Sequence, residues 1–571
     1  MKSVRPLYAE LSMGPAGMTT QHDSQWHRHL GIVCSEGLNT EADVNPSAFN
    51  TRISRRSVLR VGAMAGLAAA GTVSLRRQNP RGGMADASVR LRLPDSLPNP
   101  TRAAGTPEAA MPFDHIVVLM MENHSFDNFL GSLSLVRPDV VGQFSYRSKK
   151  PIYSNFDDHG DTVEPWHRTT TCQTGGESQG WTTSHRSMFW TLDDRSESEY
   201  TSPSYNPRSY DWTRPVSQVP LRRPGMEGFV LANGGPDCMS YWTSAELPFT
   251  HSMAQAFTIA NFWFCSVPAQ TYPNRRFLYA GTAFGDISTD NSTIFVPSNV
   301  PPIAAPPPNG TIFDRLSHYG IPWRNYFYDL PNPGIIPTTV EKYPDQFVPL
   351  AAFFADCTTG ALPAVSFVDP ESGVVGVATG EATSLPVAGG LAPVQSVNNF
   401  GQTVNGDEEG PADMAYGEAF VAKVVNAVMH SPAWPRTLLI WTFDEHGGYA
   451  DHVPPPAAIP PDGILPEIGN GDFYGGYDIY GPRVPAVVVS PYSKQRGVSN
   501  TVYDHTSVLA TIEAKWNLPA CTYRDANAST IMDCLESTPA LLDPPVLAPA
   551  ARPLPGGLDC SSPVPSTPAA P

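Results

Sequence analysis

One short stretch of the sequence collects four groups that can bind a cation or a phosphate: Asp444, Glu445, Asp451 and His452. The apolar run 438–441 precedes them and predicts a buried strand. Ligands of α/β proteins bind beyond the carboxyl ends of such strands, and the glycines at 447 and 448 permit close backbone approach. We interpret the stretch as a cation or phosphate site, with a solvated turn as the alternative.

Two other predicted element ends carry similar chemistry. The apolar run His115–Met121 predicts a strand covered on both faces, and Glu122 and Asn123 end it. Thr271 stands two residues before Pro273, which suits the first turn of a helix. A hydroxyl there lies in a positive dipole field, which favours phosphate and an alkoxide nucleophile. The plain alternative is a threonine that caps the helix.

Strand and helix patterns alternate around these residues. We predict further strands at 323–328, 363–368 and 484–490, and helices at 311–319, at 414–429 and up to Trp516. The last helix has Asp504 or Thr506 as its predicted cap. This alternation predicts an α/β class with a mostly parallel sheet.

Composition divides the rest of the chain. We assign residues 1–53 to a disordered or non-native extension, 54–90 to a signal and linker, 113–535 to the core domain with an insertion at about 135–225, and 536–571 to a Pro/Ala-rich tail. Two arginines at 55 and 56 precede the apolar run 61–75, which is a twin-arginine export pattern. We therefore expect a bacterial protein that the twin-arginine machinery exports to the periplasm or medium, with no transmembrane anchor after signal removal.

The net charge and the cysteine spacing argue against two kinds of binding partner, nucleic acid and a cysteine-ligated zinc ion. The net charge of −17 over 571 residues argues against nucleic acid, whose phosphates require clustered Lys and Arg. The eight cysteines include no CxxC pair, so a cysteine-ligated zinc is not expected. In an exported protein we expect some disulfides, and Cys521 with Cys534 is the preferred pair because they close a short polar loop.

Five segments together resemble the bacterial phosphoesterase family, which contains phospholipases C and acid phosphatases. Residues 121–131 resemble its "ENRSFDHYFG" opening, 271–275 its "TxPNR" segment and 444–453 its "DExGGFFDHV" segment, while 481–485 and 505–509 are similar to its closing blocks. The resemblance runs from about Phe113 to Pro519. It implies an alkaline phosphatase-like α/β fold, with helices on both faces of the sheet and long loop insertions.

The resemblance also implies roles for individual residues. It places one divalent metal ion on Glu122, Asn123, Asp444 and Glu445, whose oxygens suit Ca²⁺, Mg²⁺ or Mn²⁺ and also Zn²⁺. The resemblance makes Thr271 the nucleophile. It makes His185 and His452 candidates for catalysis or for contact with the phosphate. Asn274 and Arg275 are candidates for binding the substrate. Solvated or turn-fixing histidines are the alternatives for His185 and His452. His446, at a variable motif position, is expected to face solvent.

One departure concerns Glu409, in the segment 407–413, which stands where the resembling motif "DEHPPAD" has its histidine. A carboxylate there can repel a dianionic monoester, bind a cationic headgroup or add a metal ligand. Tyr449, Tyr474 and Tyr477 can cage a quaternary ammonium, with ordinary packing as the alternative. We therefore favour a phospholipase C acting on phospholipid, followed by an acid phosphatase, and then by an exported binding protein without activity.

Overall fold

The computed structural model describes residues 91–173, 177–190, 224–289, 306–328, 331–370, 406–469, 472–473, 475–553 and 560. The predicted extension at 1–53 and the signal at 54–90 lie outside these residues. In the ranges that are described, no helix combines the length and the apolar character needed to cross a lipid bilayer.

Eight strands form the central sheet. In chain order they are β1 His115–Met121, β2 Thr258–Trp263, β3 Trp323–Phe327, β4 Phe347–Pro349, β5 Val365–Asp369, β6 Thr437–Phe443, β7 Ala486–Val489 and β8 Val498–Tyr503. Their order across the sheet is β8-β2-β7-β6-β1-β5-β3-β4. All neighbours run parallel except β7, which is antiparallel to both β6 and β2. The prediction of a mostly parallel α/β sheet is confirmed.

Helices pack around this sheet. They are α1 Phe126–Phe129, α2 Trp181–Phe189, α3 Phe229–Asn233, α4 Pro248–Ala256, α5 Thr271–Ala280, α6 Ile312–His318, α7 Pro337–Lys342, α8 Leu350–Thr359, α9 Met414–Met429, α10 Thr506–Trp516 and α11 Tyr523–Ala526. One group joins α9 to α4, α8 and β6, and a second joins α5 to α6 and α10. The helix predicted at 414–429 therefore has the predicted bounds and packs on β6.

Local side chains fix several helix starts. Ser125 caps α1 by accepting from the Asn128 N–H at 3.2 Å. The predicted cap of α10 is wrong, because His505 occupies the N-cap position without a side-chain bond to the helix. Thr506 is instead the first helical residue, and its hydroxyl donates to Asp504 Oδ1 at 2.6 Å.

The insertion at 135–225 is attached through short strand pairs. Residues 155–156 pair with 162–163, residues 166–167 with 240–241, and residues 172–173 with 412–413. The last pair is antiparallel and lies directly before α9. It joins the insertion to the segment that contains Glu409.

The described part of the C-terminal tail packs on the core domain. Leu541 is buried, and its carbonyl accepts from Trp434 Nε1 at 3.0 Å. The Ala551 N–H donates to Glu418 Oε2 at 2.6 Å. Leu541 is therefore a core residue within the Pro/Ala-rich tail, and Leu547 and Ala550 pack against the same core.

The disulfide joins Cys172 to Cys560, with their Cα atoms 5.5 Å apart, so the predicted Cys521–Cys534 pair is wrong. Cys521 and Cys534 are buried free thiols. Cys521 lies beside Asp525, whose Oδ2 accepts from its N–H at 2.6 Å, whereas Cys534 lies against β8. Cys521 and Cys534 are close in sequence but do not bond, because helix α11 lies between them and each thiol packs against a different part of the fold.

Removing the Cys172–Cys560 disulfide should lower the free energy of unfolding by about 2–4 kcal/mol, because the cross-link restricts the unfolded chain. The measurement is urea unfolding of the wild type and of the Cys172→Ser/Cys560→Ser variant, each with and without dithiothreitol. The reductant should destabilise the wild type and leave the variant unchanged. No response of the wild type to the reductant would contradict this expectation.

Candidate functional site

Two adjacent strand ends bring acidic groups together. β1 and β6 pair in parallel with Met121 opposite Phe443, so Glu122 and Asp444 leave the sheet side by side. Both strands are apolar and almost wholly buried, and the Asp444 N–H donates to the Met121 carbonyl at 3.1 Å. Their carboxyl ends lie at the edge where α/β proteins bind ligands.

The Asp444 side chain fixes the backbone of both turns. Its Oδ1 accepts from the Asn123 N–H at 3.1 Å and from the Glu445 N–H at 2.7 Å. Asn123 has a φ of +69°, a left-handed conformation that asparagine tolerates better than most residues. The Asp444 carbonyl accepts from His505 Nε2 at 2.5 Å. Asp444 therefore ties the end of β1 to the end of β6 and to the start of α10.

Gly447 lies where the two turns approach most closely. Its φ is +62°, and a Cβ placed there would lie 1.8 Å from the Asn123 carbonyl oxygen. Its N–H donates to Glu445 Oε2 at 2.8 Å. At Gly448, with φ +76°, a Cβ would lie 2.5 Å from that of Glu177. Both positions require glycine, and Gly447 in addition holds the Glu445 carboxylate.

Thr271 contacts the acidic edge directly. It is the first residue of α5 and Gln270 is the N-cap, so Thr271 is not the capping residue. Its hydroxyl donates to Glu122 Oε1 at 3.0 Å. The loop after β2 thus delivers the hydroxyl to the same edge as the ends of β1 and β6.

Asn274 shapes that loop from within. Its Nδ2 donates to the carbonyls of Val267, Ala269 and Gln270 at 3.1, 2.8 and 3.2 Å, and its Oδ1 accepts from the Val267 N–H at 3.1 Å. The side chain is fully buried. The amide of Asn274 is thus used by the backbone of the loop before Thr271, and its predicted contact with substrate stays a prediction.

Arg275 is the buried cation of the site. Its Nε donates to Asp444 Oδ2 at 3.2 Å, and its Nη2 lies 3.4 Å from Glu122 Oε2 and 3.3 Å from the Met121 carbonyl. Burial disfavours the charged guanidinium, but the carboxylates of Asp444 and Glu122 raise the pKa of Arg275 above its ordinary value. In the structure, Arg275 pairs with two predicted metal ligands.

Two buried oxygens of the predicted metal ligands make no hydrogen bond within the described residues: Asn123 Oδ1 and Glu445 Oε1. An unpaired buried acceptor costs about 1–3 kcal/mol, and a hard cation would satisfy both atoms. With the carboxylates of Glu122 and Asp444, they form an oxygen donor set. The oxygen chemistry of the four predicted ligands suits a divalent metal ion, and the assignment of these four residues as its ligands stays a prediction.

A loop at 407–409 adds further carboxylates, of which the sequence prediction named Glu409 but missed Asp407. Asn123 Nδ2 donates to Glu409 Oε1 at 3.1 Å, and the Glu409 N–H donates to Asp407 Oδ1 at 3.1 Å. One carboxylate oxygen from each of Glu122, Asp407 and Glu409 lies within 4.8 Å of the others.

Burial and mutual repulsion perturb these acids. Burial raises the pKa of Asp444 to about 6, while Arg275 opposes the rise and Glu122 adds to it. Burial, followed by the charges of Glu122 and Asp444, raises the pKa of Glu409 to about 8. Burial and Asp444 raise the pKa of Glu445 well above its ordinary value. The edge is therefore strongly electronegative and suited to a cation.

His452 belongs to a neighbouring cluster. Its Nδ1 lies 2.6 Å from Asp127 Oδ2, and the guanidinium of Arg483 donates to Asp127 and, at 2.9 Å through two nitrogens, to Asp451. Within the described contacts, none joins His452 to Thr271 or to the acidic edge. Arg483 therefore holds the Asp451 carboxylate, and the catalytic role of His452 stays a prediction.

His185 lies on α2 among aromatic rings. Its Nδ1 pairs with the Trp181 carbonyl at 2.7 Å, and its ring stacks on Phe473 with the centroids 4.7 Å apart. Burial lowers the pKa of His185 to about 4. The part of the chain that the structure describes shows no contact between His185 and Thr271, so its catalytic role stays a prediction.

Other predicted surface residues are buried. His446 was expected to face solvent, but it is wholly enclosed, and burial lowers its pKa to about 3. Tyr449 stacks on His124 with the centroids 5.0 Å apart, and the Tyr477 hydroxyl donates to the Asp286 carbonyl at 2.6 Å. Both tyrosines serve packing, so a cage formed by them is wrong, and Tyr474 lies outside the described residues.

Comparison with known proteins assigns the sequence to a family. The model described as "Phosphoesterase family" matches residues 113–519. Non-specific phospholipase C3 of Arabidopsis thaliana is 26% identical over 78% of this chain and 78% of its own length. Phospholipase C B of Mycobacterium tuberculosis is 28% identical over 72% of this chain and 75% of its own length.

Among solved structures, a protein in the alkaline phosphatase superfamily from Vibrio parahaemolyticus aligns with a TM-score of 0.28 and 10% identity. The alignment covers 54% of this chain and 68% of that chain.

Gly447→Ala should lower the free energy of unfolding by at least about 2 kcal/mol more than Gly320→Ala, because only the former adds a backbone clash. Gly320 is the matched control, since it has a φ of +66° with open space around a Cβ. The measurement is urea unfolding of both variants and the wild type. Equal losses in the two variants would show that Gly447 is required for its φ alone.

Proposed function

The chain belongs to the phosphoesterase family, and on that premise we propose that it is an exported, metal-dependent phospholipase C. In this proposal it cleaves a phospholipid phosphodiester and releases the phosphorylated headgroup. The relatives named phospholipase C in Arabidopsis thaliana and Mycobacterium tuberculosis support the choice of substrate. The observation that carries the proposal is the contact between Thr271 and Glu122 at the acidic edge.

Thr271 supplies the nucleophile. Its hydroxyl lies in the first turn of α5, where unpaired backbone N–H groups favour a phosphate. Glu122 Oε1, 3.0 Å away, is placed to accept the hydroxyl proton. Attack by Thr271 Oγ1 forms a bond to phosphorus and breaks the phosphorus–oxygen bond to diacylglycerol, which leaves with a proton. Water then cleaves the phosphothreonine bond, releases the phosphorylated headgroup and restores the hydroxyl.

Glu122, Asn123, Asp444 and Glu445 would hold one divalent metal ion, either Ca²⁺, Mg²⁺, Mn²⁺ or Zn²⁺. When bound, such an ion lowers the pKa of a nearby hydroxyl and offsets charge on phosphoryl oxygens. Arg275 contributes by pairing with Asp444 and Glu122, which fixes both carboxylates relative to Thr271.

Glu409 favours a diester over a monoester as substrate. Its carboxylate is held beside the acidic edge by the Asn123 amide. A monoester brings about two negative charges to this edge and a diester brings one, so the electrostatic cost is lower for the diester. An acid phosphatase is therefore the second candidate. A binding protein without activity is the third and least favoured candidate, because Thr271 retains the contact with Glu122 that catalysis would use.

Export of the protein is supported by the twin-arginine pattern at 55–56 and the apolar run at 61–75. Export through this route delivers a folded enzyme to the periplasm or the medium. Phospholipid headgroups on a membrane surface would be accessible to it there.

Purified protein should release phosphocholine from phosphatidylcholine, and a chelator should abolish the release. The panel adds phosphatidylethanolamine, a water-soluble diester and nitrophenyl phosphate, each tested with and without EDTA and after restoring single metal ions. Hydrolysis of the monoester alone would favour the acid phosphatase. Metal binding without turnover of any substrate would favour the binding protein.

Thr271→Ala should lower kcat by a factor on the order of a thousand or more, because the nucleophile is lost. Thr271→Ser is the matched variant, since it keeps the hydroxyl and should retain measurable turnover. Metal content and thermal unfolding are measured on both to separate chemistry from folding. Wild-type kcat in Thr271→Ala would remove Thr271 from the mechanism.

A further inference from the structure

A hairpin near the start of the insertion differs in charge from the rest of the chain. Its turn is the segment 144–151, which we call the basic hairpin and which contains Arg147, Lys149 and Lys150. The longer stretch 140–156 includes no Asp or Glu, although the whole chain has a net charge of −17. The basic hairpin is therefore a local positive region on an acidic protein.

Backbone hydrogen bonds and a buried base fix the shape of the basic hairpin. The Ser145 N–H donates to the Lys150 carbonyl at 2.9 Å, and the Lys149 N–H donates to the Ser145 carbonyl at 2.7 Å. At the base, Phe144 forms an antiparallel bridge with Pro151, and its side chain is buried. The basic hairpin is thus an ordered element, and its tip presents its side chains from a defined backbone.

The basic side chains of the tip face outward. Arg147, Lys149 and Lys150 are all exposed, and none of them takes part in an ion pair among the described residues. The Lys149 ammonium lies 4.0 Å from the centre of the Tyr146 ring and donates to the Leu135 carbonyl, and neither contact neutralises its charge. The tip therefore offers three positive charges to an anionic partner.

Apolar side chains lie beside these charges. Tyr146, Ile152 and Val136 are 45%, 54% and 63% exposed. Val136 directly follows Leu135, whose carbonyl accepts from Lys149, so it lies at the side of the basic hairpin. Single exposed apolar residues are ordinary on a protein surface. Apolar residues grouped with Lys and Arg are typical of surfaces that enter a membrane interface, because the cations bind anionic headgroups while the apolar groups insert between them.

Both ends of the basic hairpin lead to residues around the candidate site. Ile152 is followed by Tyr153, whose ring centroid lies 5.8 Å from that of His452, a candidate for contact with the phosphate. On the other strand, Gln143 donates to the Asp127 carbonyl at 3.2 Å, and Asp127 contacts His452. A surface that engages the basic hairpin would therefore be held next to the residues around His452.

We propose that the basic hairpin, together with Val136 and Ile152, is a docking surface for lipid membranes that contain anionic headgroups. The choice of a lipid surface rests on the proposed function, since a phospholipase C must reach headgroups in a bilayer. Membrane interfaces stabilise exposed aliphatic side chains, whereas the phosphates of nucleic acid would engage only the basic groups. Because the chain as a whole is acidic, the basic hairpin also determines which part of the enzyme approaches such a membrane.

The test is flotation of the protein, in EDTA, with vesicles of phosphatidylcholine alone and of phosphatidylcholine mixed with phosphatidylglycerol. The wild type should bind the mixed vesicles at least about tenfold more tightly, and added salt should weaken that binding. Arg147→Gln/Lys149→Gln/Lys150→Gln should abolish the preference for mixed vesicles. Tyr146→Ser/Ile152→Ser should weaken binding to both kinds of vesicle while the response to salt remains.

The matched control is Lys342→Gln/Lys423→Gln/Arg552→Gln, which removes the same charge from three exposed positions outside the basic hairpin and should bind as the wild type does. Thermal unfolding of each variant checks that it is folded. An equal loss of binding in the control, or binding of RNA without binding of vesicles, would overturn the proposal. A wild type without preference for mixed vesicles would overturn it without any variant.

Turnover of a water-soluble diester separates this proposal from the proposed function. The hairpin variants should hydrolyse the soluble diester as the wild type does and lose activity only toward vesicles. A wild type that binds mixed vesicles but hydrolyses no ester would refute the proposed function and leave the docking surface intact. Hydrolysis of the soluble diester, together with hairpin variants that bind vesicles like the wild type, would refute the docking surface alone.

Discussion

Five carboxylates lie close together at the carboxyl edge of the sheet, where burial and mutual repulsion raise the pKa values of Asp407, Glu409, Asp444 and Glu445. The parallel pairing of β1 with β6 places Glu122 beside Asp444, and Arg275 donates to both. Removing such charges from water is costly unless other groups compensate them. The apolar strands that bury the edge therefore create the electrostatic demand that suits this edge to cations and phosphate.

A second acidic cluster, which we call the Arg483 cluster, contains Asp127, Asp451 and His452 together with Arg483, and hydrogen bonds engage its carboxylates. Arg483 donates to both oxygens of Asp451, to Asp127 and to the carbonyls of Val141 and Asn261. His452 completes the cluster through Asp127. The Arg483 cluster is therefore densely hydrogen-bonded, whereas the edge at Glu122 and Asp444 leaves oxygens of Asn123, Glu445 and Asp407 unpaired within the described residues. We infer that the Arg483 cluster holds the turn after β6 in place.

The sequence predicted those features whose cause is local. Continuous apolar runs identified β1 and β6, and acidic residues directly after them shared one edge because parallel strands end together. The sequence did not predict contacts whose cause lies far along the chain. The direction of β7 depends on its neighbours, and Cys172 meets Cys560 across 388 residues. The burial of His446 and the use of the Asn274 amide likewise depend on packing that periodicity does not encode.

Asn123 shows why an amide stands among so many acids. Its backbone N–H donates to Asp444 Oδ1 and its Nδ2 donates to Glu409 Oε1, so one residue donates to carboxylates on two sides. An aspartate at this position would lose the side-chain donor and add a negative charge beside the carboxylates of Glu409, Asp444 and Glu445. The left-handed φ of +69° further restricts the choice to glycine or a short polar side chain. Geometry, charge and hydrogen bonding thus each favour asparagine, and its amide oxygen makes no hydrogen bond within the described residues.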